Sequence, residues 1–127
     1  MDDKMNADLQ RWHQIIFERD WQDLQEFLAE DVVFYSPFLW KPYHGRQAAW
    51  LILTTVADVF QDFQYHRLLV DGNNWALEFS TNVGDLSLKG IDLIQLDENG
   101  RIDSFEVFIR PANGLQALGA EMARRLK

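Results

Sequence analysis

The chain has 127 residues, the size of a single domain, and it contains no cysteine, which excludes disulfides, cysteine-ligated metal centres and thiol catalysis. Its formal net charge of −8 disfavours nucleic acids and anionic membranes as partners, because both are negatively charged. The aromatic share of 13% supplies bulky side chains for an apolar core, so we expect one folded domain over residues 1–127.

The N-terminal segment lacks the features of a secretory signal. Residues 1–10 carry three aspartates and no apolar stretch. The longest run without charge, residues 47–57, is much shorter than the ~20 apolar residues that span a membrane. We therefore expect a cytoplasmic protein that does not use a membrane as a partner.

The first half of the chain predicts three helices. In the first, Trp12 and Ile16 belong to an apolar stripe at helical spacing. Asp20 is placed to act as the N-cap of a short second helix. The third helix is predicted over residues 46–60, with Trp50 on its apolar side.

A short strand and a loop separate the second and third helices. Residues 31–35, which include Phe34, have the β-rich composition of a strand. Residues 36–45 hold two prolines and several aromatic side chains, which indicates a loop. Phe38, Trp40 and His44 belong to this aromatic loop.

The second half predicts a four-stranded antiparallel meander over residues 63–110. Residues 75–83 alternate between apolar and polar, which is the period of a strand with one wet face. Turn sequences at residues 71–74, 84–85 and 99–100 separate the strands. Asn99-Gly100 predicts a two-residue turn with positive φ at both positions.

A final helix is predicted after Pro111, with Asn113 as its cap. Helices followed by a meander are typical of the α+β class, in which helices cover one face of a curved antiparallel sheet. A hollow between these two layers would suit a small molecule.

One acidic residue falls on the apolar face of the third meander strand. The residues that share this face are Leu86, Leu88, Gly90, Asp92, Ile94 and Leu96. A carboxylate there must be paired, hydrogen-bonded or protonated, so we expect a raised pKa for Asp92. Two alternatives stay open: a side chain of a neighbouring strand satisfies Asp92, or a bulge at Gly90 turns it towards solvent.

Four segments in chain order resemble the NTF2-like superfamily and its SnoaL-like branch. They are Arg19-Asp20-Trp21, residues 29–37 (AEDVVFYSP), Gly45-Arg46, and residues 90–94 (GIDLI) followed by residues 97–102 (DENGRI). The resemblance implies a cystatin-like α+β cone with a deep apolar pocket. It does not imply one reaction, because the superfamily includes isomerases, epoxide hydrolases, dehydratases, polyketide cyclases and proteins without catalysis.

The ketosteroid isomerases of this superfamily use a carboxylate base, a tyrosine donor and a protonated aspartate. By the resemblance, the base position falls on Ser36, the tyrosine position on Trp12 and the aspartate position on Asp92. Only Asp92 keeps the residue type. A steroid isomerase that works through all three groups is therefore not expected.

Two functional hypotheses follow. The first is an enzyme that needs no cofactor or metal and acts on a small apolar molecule, as an isomerase, a polyketide-cyclase-like or an epoxide-hydrolase-like protein, with Asp92 as acid/base. The second is a non-catalytic ligand-binding or dimeric assembly module. The predicted pocket lining is Trp12, Ile16, Phe34, Ser36, Phe38, Trp40, His44, Trp50 and Phe79. The resemblance also implies a homodimer that packs through the sheet face.

Overall fold

The computed structural model describes the backbone of residues 3–126 and the side chains of residues 7–126. Within this range the helices are α1 (Asp3–Glu18), α2 (Trp21–Phe27), α3 (Arg46–Val59) and α4 (Ala112–Arg125). The strands are β1 (Leu28–Tyr35), β2 (Tyr43–His44), β3 (Gln61–Asp71), β4 (Asn74–Val83), β5 (Leu86–Leu96) and β6 (Ile102–Arg110). The predicted α+β class is confirmed.

The strands form one curved, unclosed sheet in the order β2-β1-β6-β5-β4-β3. Strands β3 to β6 are the predicted antiparallel meander. The sheet as a whole is mixed, because β1 pairs with β6 in parallel. Parallel neighbours need a long crossover, and here the chain passes through α3 and the meander before it returns beside β1.

The junction between α1 and α2 forms as predicted at Asp20. Its side chain accepts a hydrogen bond from the backbone N–H of Asp23, which satisfies a free donor at the start of α2. Arg19 precedes it in the left-handed region, with φ of 58°. The backbone N–H of Asp20 then donates to the carbonyl of Ile15, which closes the end of α1.

The hairpin between β5 and β6 differs from the predicted two-residue turn. Only Gly100 has positive φ, at 78°, and Asn99 does not. The backbone N–H of Gly100 donates to Asp97, and that of Asp97 donates to Arg101. The connection is therefore a longer loop built on an i to i+3 turn that ends in a left-handed glycine.

The start of α4 also differs from the prediction. The helix begins at Ala112, Pro111 occupies the N-cap, and no side chain caps it. Asn113 lies inside the first turn, where its side-chain oxygen accepts from the backbone N–H of Gly114. The predicted cap at Asn113 is wrong because the helix begins before that residue.

Apolar residues from the helices and the inner sheet face form two buried clusters. The larger lies between α1, α2, α3 and the sheet, and its bulkiest members include Trp12, Phe27 and Trp75. The smaller lies beneath α4, where Leu118 and Met122 pack on the sheet. Among residues 3–126, no helix is long and apolar enough to cross a membrane.

Gly90 makes room for an aromatic ring on the inner face of the sheet. It lies opposite Phe79 in the register of β4 and β5. A Cβ added at Gly90 would lie 2.5 Å from Cζ of Phe79 and 2.3 Å from the carbonyl oxygen of Phe108. The ring of Phe79 therefore lies over the glycine, where a larger residue would collide with it.

We expect Gly90→Ala to lower the free energy of unfolding by about 1–3 kcal/mol, because the added methyl overpacks the sheet. Urea denaturation would measure the change. Ser87→Ala, at an exposed position of the same strand, is the matched control and should change stability by less than about 0.5 kcal/mol. Equal stability of the two variants would contradict the prediction.

Candidate active site

A cavity of about 290 Å³ lies between the helices and the inner face of the sheet. Its walls come from α1, β1 and the loop after it, α3, β3, β5, β6 and α4. Aliphatic and aromatic side chains form most of the lining. The lining residues with polar or charged side chains, apart from the indole of Trp12, are Arg19, Ser36, Tyr65 and Asp92.

Asp92 lies at the closed end of this cavity. It is 7% exposed, and it sits on β5 between Leu77 of β4 and Val107 of β6. The pairing of β4 with β5 runs without a shift from Asn74 to Val83, so the bulge considered at Gly90 does not form. The carboxyl group is therefore held inside the protein among apolar neighbours.

Asp92 ends a chain of two hydrogen bonds. The hydroxyl of Tyr65 donates to Oδ2 of Asp92 over 2.7 Å. The indole N–H of Trp12 donates in turn to the hydroxyl oxygen of Tyr65 over 2.9 Å. Tyr65 comes from β3, which is separated from β5 by β4. The side chain that hydrogen-bonds Asp92 therefore does not come from a strand directly beside β5.

Burial sets the protonation of these two groups. Desolvation raises the pKa of Asp92 to about 7, and the hydrogen bond from Tyr65 lowers it in part. Desolvation, the charge of Asp92 and their hydrogen bond raise the pKa of Tyr65 well above its usual value. At neutral pH both forms of Asp92 are populated, and Tyr65 stays a neutral donor.

His13 packs against this chain from outside the cavity lining. Its ring stacks on that of Tyr65, with 5.3 Å between centroids. Its Nε2 is buried and has no hydrogen-bond partner in the described part of the protein. Burial lowers the pKa of His13, so that a neutral ring lies against Tyr65.

Five of the residues predicted to line the pocket do line the cavity. They are Trp12, Ile16, Phe34, Ser36 and Phe38. The side-chain oxygen of Ser36 accepts from the backbone N–H groups of Phe38 and Leu39, each over 3.3 Å. This small turn shapes the loop that carries Phe38.

Four other predicted lining residues lie elsewhere, and their assignment to the pocket is corrected. Trp40 is 99% exposed in the loop, and His44 is exposed on β2 at the sheet edge. The indole N–H of Trp50 donates to the carbonyl of Trp21 over 2.7 Å, which fixes that ring against α2. Phe79 is fully buried behind the lining, where Phe60 and Phe63 cover it.

Among the lining residues that were not predicted from the sequence, two have polar or charged side chains, Tyr65 and Arg19. Phe63 and Tyr65 alternate at the start of the predicted meander, and this spacing already places both on one face. Arg19 gave no comparable signal, because it reaches the cavity through the turn after α1. Leu118 and Met122 of α4 also line the cavity.

We expect Tyr65→Phe to raise the pKa of Asp92 above about 7, because the variant loses the hydrogen bond that stabilises the carboxylate. Carbon NMR of the Asp92 carboxyl group during a pH titration would measure it. Ser36→Ala is the matched control, since the Ser36 side-chain oxygen binds the loop backbone and should leave the pKa unchanged. A pKa in Tyr65→Phe at or below the wild-type value would sink the prediction.

The comparisons with known proteins agree with the resemblance noted in the sequence. A SnoaL-like domain model matches residues 9–105. A crystal structure of a steroid delta-isomerase from Pseudomonas aeruginosa is 50% identical and covers 99% of this chain and 93% of its own, with a TM-score of 0.94. An uncharacterised Silicibacter pomeroyi protein with a cystatin-like fold is 37% identical over 97% of this chain and 87% of its own, with a TM-score of 0.90.

More distant structures support the fold alone. An NTF2-like protein of unknown function from Mesorhizobium loti is 20% identical over 87% of this chain and 97% of its own, with a TM-score of 0.75. No functionally curated protein matches the chain significantly. The extent of the domain match shows that this chain belongs to the SnoaL-like family, with an NTF2-like fold.

Proposed function

We propose that this protein is a cofactor-independent enzyme that moves a proton on a small, largely apolar molecule, with Asp92 as the acid/base. The observation that carries the proposal is the carboxyl group at the closed end of an apolar cavity, with a pKa of about 7. A group whose pKa lies near the working pH both accepts and returns a proton efficiently.

One carboxyl group is sufficient for an isomerisation. Ionised Asp92 takes a proton from a carbon next to a carbonyl group, and the electrons move into that carbonyl as a double bond shifts. The protonated carboxyl then returns the same proton to a different carbon of the ligand. Apolar walls keep water away and hold the ligand in place during both steps.

The relative from Pseudomonas aeruginosa, named a steroid delta-isomerase, supports an isomerase over a cyclase or a hydrolase. A carboxylate base at position 36 is replaced here by Ser36. Within the described lining, Asp92 is the carboxyl group available for the proton transfer. The cavity volume of about 290 Å³ lies at the lower end for small-molecule sites, which favours compact ligands.

A panel of β,γ-unsaturated ketones tests this proposal, because isomerisation produces a conjugated enone that absorbs in the ultraviolet. The panel runs from cyclohex-3-enone to a Δ5-3-ketosteroid. We expect the rate to rise with pH through about 7 as Asp92 ionises, and to level off above it. Asp92→Asn should lower the rate by about 10²–10⁴-fold.

The matched control is Asp103→Asn. Burial, followed by the charge of Asp97, raises the pKa of Asp103, but this residue does not line the cavity. The control should keep the wild-type rate. Asp92 would be excluded as the catalytic group of an isomerase if the Asp92→Asn variant turned over substrate at the wild-type rate. The same conclusion would follow if the wild-type protein turned over no ketone of the panel.

A second candidate is a ligand-binding module without catalysis. It is favoured by two side chains that could otherwise assist a reaction, because their polar groups are already hydrogen-bonded within the protein. The indole N–H of Trp12 is used by Tyr65, and the oxygen of Ser36 is used by the loop backbone. Ligand binding that quenches Trp12 fluorescence, with no chemical change in the ligand, would support this candidate.

We also propose that two copies assemble through the outer face of the sheet. Exposed apolar side chains occur there on three strands, with Ile91 and Leu93 on β5, Phe108 on the neighbouring β6, and Leu69 on β3 beyond β4. Ile91 lies opposite Phe108 in the register, so these two form a continuous apolar patch. Two-fold dimers bury one such patch against its own copy.

The outer face also carries a charge cluster beside this patch, in which Glu78 is buried and its two basic partners are exposed. Glu78 is 8% exposed and bonds Arg67 and Lys89, at 2.7 and 3.1 Å. These contacts lower the pKa of Glu78 to about 2, the bond from Arg67 being the largest cause. The charge of Glu78 is thus already paired, which lowers the cost of covering this part of the face.

We expect Phe108→Glu to convert a wild-type dimer into monomers, because it places a charge in the centre of the apolar patch. Sedimentation velocity would measure the oligomeric state. Leu51→Glu, at an exposed position of α3 away from the sheet, is the matched control and should leave the dimer intact. A monomeric wild type, or a dimeric Phe108→Glu variant, would overturn the assembly proposed here.

A further inference from the structure

We infer that the ligand carries an anionic group, such as a carboxylate, that binds Arg19 at the opening of the cavity while its apolar body extends towards Asp92. This inference rests on the proposed ligand cavity and names the chemical class of its occupant. It concerns binding, so it applies whether or not the bound molecule reacts.

Arg19 and Asp92 are the two charged residues among the described lining, and they occupy opposite environments. Asp92 is buried at the closed end. The Arg19 side chain is half exposed, as are two further lining residues, Phe17 at 53% and Phe38 at 41%. Lining residues that also face solvent mark the opening, so Arg19 lies where a ligand enters.

The backbone at Arg19 is unusual for a residue with a side chain. It follows α1 in the left-handed region, at φ of 58°, a position that glycine occupies with less strain. The guanidinium stacks on the Trp21 ring, at 5.3 Å from the centroid, and pairs with Asp58.

These contacts orient the guanidinium without using all of its donors. The Asp58 bond uses one terminal nitrogen, and a guanidinium has five N–H groups in a planar fork. The pair is half exposed on both sides, and exposed pairs contribute little stability. A ligand carboxylate can therefore join or replace Asp58 at small cost.

The net charge of −8 does not prevent this binding. Exposed charges more than about 8 Å apart are largely screened at physiological ionic strength, so distant acidic residues have little effect at the opening. The nearby charges are those of Arg19 itself, of Asp58, and of Glu18 and Asp20, which flank Arg19 in the chain. Removal of the Asp58 charge should then strengthen the binding of an anion.

The two charged positions also define the shape of the ligand. A volume of about 290 Å³ equals that of roughly ten water molecules in the liquid, so an apolar body of about ten non-hydrogen atoms would fill it. With its acidic group at Arg19, such a molecule presents its far end to Asp92. A bond that reacts there is remote from the acidic group.

A matched pair of ligands tests the inference: 6-phenylhexanoate and 6-phenylhexan-1-ol, which share one apolar body. Titration calorimetry would measure their affinities for the full chain. We expect wild type to bind the acid at least about tenfold more tightly than the alcohol, since charge-assisted bonds are the stronger kind. Arg19→Gln should remove this preference and leave alcohol binding unchanged.

Three further variants separate charge from folding. Arg19→Gly suits the left-handed backbone and should fold while it loses the preference for the acid. Arg19→Lys keeps the charge but not the planar fork, so it should retain part of that preference. Asp58→Asn should increase affinity for the acid and leave that for the alcohol unchanged.

The outcomes distinguish this inference from the proposed function. Equal binding of acid and alcohol by wild type, or an equal loss of both in Arg19→Gln and Arg19→Gly, would overturn the role of Arg19 and leave the cavity proposal standing. If wild type binds neither ligand, but isomerises a neutral ketone through Asp92, this inference alone fails. Failure of both experiments would reject the two proposals together.

Discussion

The hydrogen bond from Tyr65 to Asp92 determines what this cavity can do. Asp92 is surrounded by apolar side chains, and no cation of the described lining faces it from the closed end. Burial favours the protonated acid, whereas the tyrosine favours the carboxylate, and the balance leaves the pKa at about 7. With a stronger partner such as an arginine, the carboxyl would stay ionised; with none, it would stay protonated. Both states are accessible because the single partner is neutral.

Distant parts of the chain must come together to build this arrangement. Trp12 comes from α1, Tyr65 from β3 and Asp92 from β5, and they meet only when the first helix packs on the curved sheet. Gly90 contributes because it has no side chain, which leaves space on the inner face for the ring of Phe79. The packing of the sheet and the geometry of the site therefore depend on each other. A substitution that overpacks β5 at Gly90 should also displace the carboxyl group of Asp92 on the same strand.

Local sequence patterns predict the features of the fold that depend on residues close together in the chain. Strand alternation identified Asp92 as a charge on an apolar face, and the capping preference of aspartate identified Asp20. The spacing in β3 places Tyr65 on the inner face, but its hydrogen bond to Asp92 depends on tertiary structure, because the register of β3 against β4 shifts on both sides of Tyr65. Trp40 and Trp50 were assigned to the pocket by composition, but the course of a loop and a bond to a backbone carbonyl decide where such rings point.

The wall supplied by α4 lies beyond the part of the chain that the SnoaL-like domain model matches. The domain match ends at residue 105, whereas Leu118 and Met122 close the cavity from beyond that point, and Phe38 lies within 3.2 Å of a Cβ placed at Gly119. A relative can thus keep the common scaffold and still present a chamber of different width, merely by exchanging residues in its last helix. Ligand choice in such proteins can diverge at the C-terminal end without any alteration to the buried acid.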